Sequence, residues 1–369
     1  MKYLTADDAL PLSPAWSSDD RFIYFAWSRG GALNVWKIPA AGGEPEQITA
    51  GQADDTDLDL SADGTRLVFS SYRQNVNLAE VTLDRASKGR ITWLTTDAAR
   101  GENAPRYSPD GRRIAYFSNR IGAEWESIWL MDADGGNATK LVEDEGRASI
   151  FPRWTPDGRE LLFMSRTASR FSGVQSLVDI GELRRVSVAG GAPQALPIKP
   201  WSPSWGDVAA DGRIIYRPSP TAGEVYHPGT NQRQPIGDMP GDPLWSRDGR
   251  SFAFAVRLGL GKPSDAGLWT VTSSGRQHVF PGWVTWFAWA GAEELLMLEG
   301  KSHLKGRLWR IDARGRSKVV VVEELPIFMR HTDVTPSAGR FDVHPDGRRI
   351  VTEALESFES DIGMIENVK

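Results

Sequence analysis

The sequence of 369 residues contains no cysteine, which excludes disulfides, thiolate nucleophiles and cysteine-ligated zinc. It also contains no apolar run long enough to span a bilayer, so membrane insertion is not expected. Residues 1–10 lack the basic start and the apolar core of a secretory signal. The chain as written is therefore expected in the cytoplasm, or in the periplasm if a signal has been removed.

An excess of positive charge is missing as well. Asp and Glu number 48 against 43 Lys and Arg, which gives a formal net charge of −5 and a pI near 5.7. No run of the sequence is rich in Lys and Arg. Because phosphate binding needs clustered positive charge, a nucleic-acid partner is not expected.

The sequence is instead rich in turn residues and tryptophan, with 37 Gly, 23 Pro and 15 Trp, and one phrase recurs along it. The clearest copy begins at Ala104. Its short apolar segments predict four strands, at residues 105–107, 114–117, 127–131 and 139–141. The first turn is Ser-Pro-Asp-Gly, in which proline presets φ and glycine takes the positive φ that follows. Such a sheet cannot bury both faces alone, so we expect it to stack against copies of itself.

Eight copies are aligned by the Asp-Gly turn, and they start near residues 14, 57, 104, 151, 203, 242, 286 and 341. The seventh copy lacks the usual turn, and the eighth lacks a fourth strand, which residues 1–5 are expected to supply. The unit of roughly 45 residues matches a propeller blade. The predicted fold is all-β, with one domain over residues 1–369. It is an eight-bladed β-propeller of four-stranded antiparallel blades closed by the N-terminal strand, or a seven-bladed one if the degenerate seventh unit is not a full sheet.

The repeat resembles a known family. The Ser-Pro-Asp-Gly turn at 108–111, the Ile-Trp-Leu-Met-Asp-Ala-Asp-Gly-Gly phrase at 128–136 and the Trp before such turns look like the PD40 (WD40-like) repeat of TolB-type β-propellers. The resemblance covers nearly the whole chain. It implies a bacterial propeller that binds other proteins. The same family supplies propellers of transcriptional regulators and Ser/Thr kinases, of prolyl-oligopeptidase-type peptidases and of some polysaccharide lyases.

Common catalytic and nucleotide-binding motifs are absent from the sequence. The sequence has no Gly-x-Ser-x-Gly elbow, His-Glu-x-x-His, P-loop or helix-opening Gly-x-Gly-x-x-Gly. The alternating acids from Asp57 to Asp63 do not fit an EF-hand, because Ala62 and Val68 stand where glycine and an acid are needed. Neither a metal site nor a cofactor is predicted.

Links between blades run to the rim around the pore of a propeller, and they hold the candidate ligand-binding residues. The longest link, residues 323–340, contains Arg330 and His331, and long loops of compact folds are often functional. Trp201, Trp283 and Trp286 are also assigned to links. Their rings would suit a sugar or a peptide side chain, or they would pack link against link.

Arg106 and Arg153 occupy the same repeat position, just before the aromatic residue of units three and four. A charge near the inner strand must be paired. One interpretation is a salt bridge between blades, to Glu102 or Glu145. The other is an anion clamp for a carboxylate at the pore mouth.

Three hypotheses of function follow. The first, favoured because no catalytic motif is visible, is a monomeric binding or scaffolding module that takes a protein, peptide or carbohydrate at the rim. The second is a lyase or hydrolase built from links, with His331 as the proton-transfer residue. The third is the propeller of a larger sensor or prolyl-oligopeptidase-type protein.

Overall fold

A computed structural model describes residues 4–5, 11–27, 29, 32–51, 53–83, 89–96, 100–119, 126–142, 146–167, 181–201, 205–256, 263–302, 304–327 and 339–368. These residues form β-strands and no α-helix, with one short 3-10 turn at Pro263–Asp265. Among them no helix is long and apolar enough to cross a membrane. The all-β class predicted from the sequence is confirmed.

The first eleven strands are β1 Pro11–Trp16, β2 Phe22–Trp27, β3 Asn34–Pro39, β4 Glu46–Gln47, β5 Asp54–Leu60, β6 Arg66–Thr82, β7 Ile91–Trp93, β8 Arg100–Tyr107, β9 Arg113–Asn119, β10 Ser127–Asp132 and β11 Thr139–Val142. The next eight are β12 Arg147–Trp154, β13 Glu160–Thr167, β14 Glu182–Ser187, β15 Gln194–Ala195, β16 Gly206–Val208, β17 Ile214–Tyr216, β18 Ala222–His227 and β19 Gln232–Asp238. The last ten are β20 Pro243–Trp245, β21 Phe252–Val256, β22 Gly267–Thr272, β23 Gly275–Pro281, β24 Val284–Trp289, β25 Glu294–Gly300, β26 Lys305–Asp312, β27 Lys318–Pro326, β28 Phe341–Val343 and β29 Arg349–Glu366.

Six four-stranded sheets follow chain order, each a meander of antiparallel neighbours: β1–β4, β8–β11, β12–β15, β16–β19, β20–β23 and β24–β27. The predicted four-stranded antiparallel unit is therefore confirmed. The seventh copy, degenerate in sequence, is a full sheet, β24–β27. The seventh sheet has five strands, in the order β28-β29-β6-β5, with β7 paired to β6.

The repeated turn holds each hairpin in the same way. In the copy at residues 108–111, Ser108 Oγ donates to Asp110 Oδ1 at 2.6 Å, and the Arg112 N–H donates to the same oxygen at 3.1 Å. Gly111 adopts a φ of 73°, which a residue without a Cβ reaches without strain. The hydrogen bond from Ser108, followed by that from Arg112, lowers the pKa of Asp110.

The strands divide into two compact units. The smaller unit comprises residues 1–75, 168–176 and 356–369, and the larger unit comprises residues 76–167 and 177–355. In the larger unit the first strands of the sheets contact one another in the cyclic order β8, β12, β16, β20, β24, β28 and back to β8. This closed series of six sheets is the propeller arrangement, in which each sheet buries its faces against two neighbours.

The predicted count of eight blades is not confirmed, because the second and eighth copies share the five-stranded sheet. Strands β6 and β29 are 17 and 18 residues long, and each contributes residues to both units. The second part of β6 joins β29 in the sixth sheet of the larger unit, where the N-terminal residues were expected. Leu4 packs instead against residues of β2 and β3, among them Phe25 and Trp36.

In the smaller unit the sheet β1–β4 packs against β5 and the first part of β6. Its core contains Tyr24 and Val35 from the first sheet and Leu67 and Phe69 from β6. The last part of β29 pairs with β6 in the same unit.

Candidate functional site

The candidate site is one repeat position on the first strand of each sheet in the larger unit. Strand pairing aligns this position, which we call the ring position, one residue before an aromatic in β8, β12, β20 and β24 and one residue before a valine in β16 and β28. Going round the cycle from β8, it is occupied by Arg106, Arg153, Asp207, Leu244, Ala288 and Asp342. Two cations and two carboxylates therefore meet on the inner strands.

A β-bulge precedes each of the two arginines. The register shifts between Asn103 and Arg106 in β8, and between Ile150 and Arg153 in β12. Inside these bulges Ala104 and Phe151 have φ values of 49° and 54°, a left-handed conformation that is strained for a residue with a bulky side chain. A bulge redirects the side chains that follow it, so the two strands present their arginines in the same way.

Arg106 is buried against two sheets. Its Nη1 lies 3.4 Å from Asp342 Oδ1, and its guanidinium carbon lies 5.5 Å from the centre of the Trp286 ring. The second carboxylate oxygen of Asp342 accepts the Tyr107 N–H at 2.9 Å. Asp342 thus pairs with the arginine and also joins β28 to β8.

Arg153 is the more deeply buried arginine, with 3% of its surface exposed. Its Nε donates to the Gly206 carbonyl at 3.2 Å and its Nη1 to the Pro152 carbonyl at 3.0 Å. The Asp207 carboxylate lies 3.6 Å from Nε, too far for a hydrogen bond. The buried Nη2 has no hydrogen-bond partner among the described residues.

Burial has the largest effect on the pKa of both Arg153 and Asp207. It lowers the pKa of Arg153 to about 9, and the charge of Arg106 adds to that effect against the attraction of Asp207. Burial also raises the pKa of Asp207, although Arg153 and Arg106 oppose it. Asp207 accepts the Trp245 N–H at 3.0 Å, which ties β16 to β20.

A second buried ion pair lies beside this position. Arg340 Nη1 is 3.3 Å from Glu353 Oε1, and Glu353 also accepts the Ala104 N–H at 2.6 Å. The Arg340 guanidinium lies 5.8 Å from the centre of the Trp286 ring and 5.2 Å from that of Phe151. Arg340 and Arg106 therefore share one indole. Burial raises the pKa of Glu353.

The structure brings together three of the residues selected from the sequence: Arg106, Arg153 and Trp286. Trp286 does not lie on a link, however. It belongs to β24, is 8% exposed, and donates its indole N–H to the Phe341 carbonyl at 2.9 Å. The described salt bridges of the two arginines run to Asp342 and Asp207, and Glu145 lies outside the described residues.

The remaining candidates are not joined to this group by any described contact. Trp283, just before β24, is 45% exposed. Trp201 is partly buried, and its backbone N–H donates to the Arg217 carbonyl at 2.6 Å. Arg330 and His331 lie outside the described residues, so their predicted roles remain predictions.

Four charged side chains of the candidate site were not selected from the sequence: Asp207, Asp342, Arg340 and Glu353. The two aspartates occupy the same aligned position as the two arginines, so comparing that position across all eight copies would have found them. No sequence signal marks Arg340 and Glu353, because they meet across a hairpin whose strands are placed by tertiary packing.

Two further features lie away from the arginines. A groove with a cavity volume of about 350 Å³ lies between the sheets β16–β19 and β20–β23, and Arg213, Gln234 and Trp245 are among its lining residues. None of the candidate residues lines it. Within the described part of the chain, no three His, Asp or Glu side chains are grouped so as to hold a metal ion.

Neither a protein-family model nor a curated protein matches the chain. Among solved structures it is similar to the tricorn protease, with 12% identity over 98% of this chain and 45% of that one, at a TM-score of 0.42. It is similar to TolB from Acinetobacter baumannii, with 14% identity, 96% and 65% coverage and a TM-score of 0.35. A putative TolB from Agrobacterium tumefaciens shares 17% identity over 95% and 91% of the two chains, at a TM-score of 0.25.

The chain spans less than two thirds of the length of the first two of these proteins. At such TM-scores the similarities assign no activity. The chain is thus characterised by its own strand pairing, as an all-β protein with a closed series of six four-stranded sheets in its larger unit.

Proposed function

We propose that the chain is a TolB-like propeller module that binds a ligand through a carboxylate at the ring position. The ligand class is a protein, a peptide or an acidic carbohydrate. The observation that carries the proposal is the environment of Arg153, whose guanidinium is almost fully buried. Among the described residues it makes no hydrogen bond to a carboxylate, and its Nη2 has no hydrogen-bond partner.

A buried charge is costly unless it is paired and hydrogen-bonded. The two hydrogen bonds of Arg153 go to neutral carbonyls, and the nearest carboxylate stands beyond hydrogen-bond range. A ligand carboxylate is planar and matches the guanidinium fork with two parallel hydrogen bonds. Its arrival would give Nη2 the hydrogen-bond partner that it lacks among the described residues, and would compensate the buried charge of Arg153.

The surrounding charges favour a carboxylate over a phosphate. Because Asp207 and Asp342 already place two negative charges beside the two arginines, a single added negative charge is easier to accommodate than a double one. The rings of Trp286 and Phe151 lie near Arg340 and offer an aromatic surface for the part of the ligand next to the carboxylate. Trp201, Trp283, Arg330 and His331 are proposed as additional contacts at the rim.

The test is a thermal-shift titration of the purified chain with two matched pairs of probes. One pair is a tripeptide with a free C-terminal carboxylate and the same peptide with a C-terminal amide. The other is an oligomer of galacturonic acid and its neutral galactose counterpart. A ligand at a hundred times its dissociation constant adds about 2.7 kcal/mol to the stability of the protein. We expect a carboxylate probe, and not its neutral partner, to raise the melting temperature.

The decisive variant is the double substitution Arg153→Gln with Asp207→Asn, which removes both partners and leaves no unpaired buried charge. It should melt cooperatively and show no shift with the carboxylate probe. The matched control is Arg213→Gln, an arginine whose guanidinium pairs with Asp211 elsewhere in the larger unit. An undiminished shift in the double variant, or equal shifts with acid and neutral probes, would contradict the proposal.

A further inference from the structure

Among the described strands, the last one has an edge in the smaller unit that no other strand covers. Over its first part, β29 has β28 on one side, paired through residues 350–352, and β6 on the other. Strand β28 is antiparallel to β29 and begins at Phe341, opposite Thr352, so its described residues do not extend alongside residue 356. From residue 356 onward, β29 therefore has a single neighbouring strand, β6, among the described strands. Such an edge presents backbone N–H and C=O groups to any strand that can pair with them.

One face of this edge is apolar and exposed. Phe69 packs in the core of the smaller unit, and a Cβ added to Gly363 would clash with the Phe69 ring, so these two residues share the inner face. Because neighbouring residues of a strand point to opposite faces, Val68, Ile362 and Met364 share the outer face. They are 36%, 83% and 54% exposed. Exposed apolar residues beside an open edge mark a site of association.

The charge of the smaller unit indicates what associates there. The smaller unit holds 15 Asp and Glu against 8 Lys and Arg, a formal net charge of −7, whereas the larger unit carries +2. On the edge strand itself the charged residues between positions 356 and 366 are all acidic and exposed: Glu356, Glu359, Asp361 and Glu366. A second copy of the chain would place acid opposite acid, which destabilises strand pairing.

We propose that the edge of β29 over residues 359–366 binds an extended, basic segment of a partner protein as an added strand. Backbone hydrogen bonds give such strand addition its affinity, and alternate side chains give it specificity. Lys or Arg of the segment face Glu359 and Asp361 on one face of the strand, and its apolar side chains cover Ile362 and Met364 on the other. This surface consists of residues of the smaller unit, whereas the carboxylate site consists of residues of the larger unit.

The test is fluorescence anisotropy with the full chain and a labelled seven-residue peptide of alternating lysine and valine. Two reference peptides accompany it. One has glutamate in place of lysine. The other is the lysine peptide N-methylated at alternate residues, which removes the backbone donors of one edge and keeps the charge. We expect the lysine peptide to bind, to weaken as salt is added because its charges are exposed, and to outbind both reference peptides by at least about tenfold.

The double variant Ile362→Lys, Met364→Lys should weaken binding of the lysine peptide by at least about tenfold. Its matched control is Val319→Lys, a valine on β27 that is 56% exposed, which should bind as the wild type does. The Arg153→Gln, Asp207→Asn variant should also bind normally, which separates this inference from the carboxylate site.

Three results would overturn the inference. Equal binding of the N-methylated peptide would show general electrostatic attraction rather than strand addition. Wild-type affinity in the Ile362→Lys, Met364→Lys variant would show that the edge of β29 takes no part in binding the peptide. A wild-type dimer that this variant dissociates would identify a second copy of the chain as the occupant.

Discussion

The repeat tryptophan offers a test of what holds neighbouring sheets together. Trp154 and Trp245 occupy the same position on β12 and β20, and each is 8% exposed. Each ring lies beneath an arginine, Arg113 at 5.2 Å and Arg213 at 4.8 Å. The indole N–H of Trp154 donates to the Arg106 carbonyl of the preceding sheet at 3.0 Å. The buried indole N–H of Trp245 has no partner among the described residues.

Substituting phenylalanine removes the same atoms at both positions, so the loss of packing is similar. At Trp154 the substitution also leaves the Arg106 carbonyl without its donor, which costs about 1–3 kcal/mol. At Trp245 it removes an unsatisfied donor and carries no such cost. We expect Trp154→Phe to destabilise the larger unit by about 1–3 kcal/mol more than Trp245→Phe.

The assay is urea unfolding followed by far-UV circular dichroism, with thermal melting as a second measurement. A difference of 1 kcal/mol corresponds to about 2–4 °C for a unit of this size. Trp16→Phe is a further control, because Trp16 holds the same repeat position on β1 but is 57% exposed. It should change the stability by less than about 0.5 kcal/mol. If Trp245→Phe proves as costly as Trp154→Phe, the hydrogen bond between sheets is not the source of the difference.

Two other predictions concern the repeated turn. Hydrogen bonds lower the pKa of Asp110, first that from Ser108, and the same cause acts on Asp157 through Thr155 and on Asp248 through Ser246. A carboxyl whose pKa is lower in the folded state stabilises the protein above its unfolded pKa, near 4, and this contribution is lost as the pH falls below that value. The urea concentration at the unfolding midpoint should therefore decrease as the pH is lowered from about 5 to about 2. It should fall less steeply in Ser108→Ala, and a parallel pH dependence in that variant would exclude the turn as the cause. Gly111→Ala and Gly347→Ala should both be destabilising, because their φ values are 73° and 71°. Gly111→Ala should cost more, since its Cβ would meet the His344 ring whereas that of Gly347 faces open space, and equal losses in urea unfolding would rule out that contact.

The local elements were readable from the sequence because they depend on neighbours in the chain. Segments predicted at residues 105–107, 114–117, 127–131 and 139–141 lie within β8, β9, β10 and β11. Turn residues determine where such strands end, and apolar residues determine which strands are buried, without information from distant parts of the chain.

Only part of the candidate site could be predicted from the sequence, because its residues depend on partners that are far away in the chain. The repeat alignment identified Arg106 and Arg153, but their partners depend on which sheets are neighbours in space. Arg106 meets Asp342, which is 236 positions away in sequence. Trp286 was assigned to a link because its copy of the repeat is degenerate, and only the pairing of β24 with β25 places it inside a sheet.

Repeated four-stranded antiparallel sheets joined by tight turns could be predicted from the amino-acid sequence alone. That six sheets form the closed series of the larger unit, and that β6 and β29 each contribute residues to both units, emerged from the folded chain. Every copy of a repeat offers similar edges and faces, so the repeat does not specify which copies pair. That choice depends on the length of individual strands and on contacts between residues far apart in the chain.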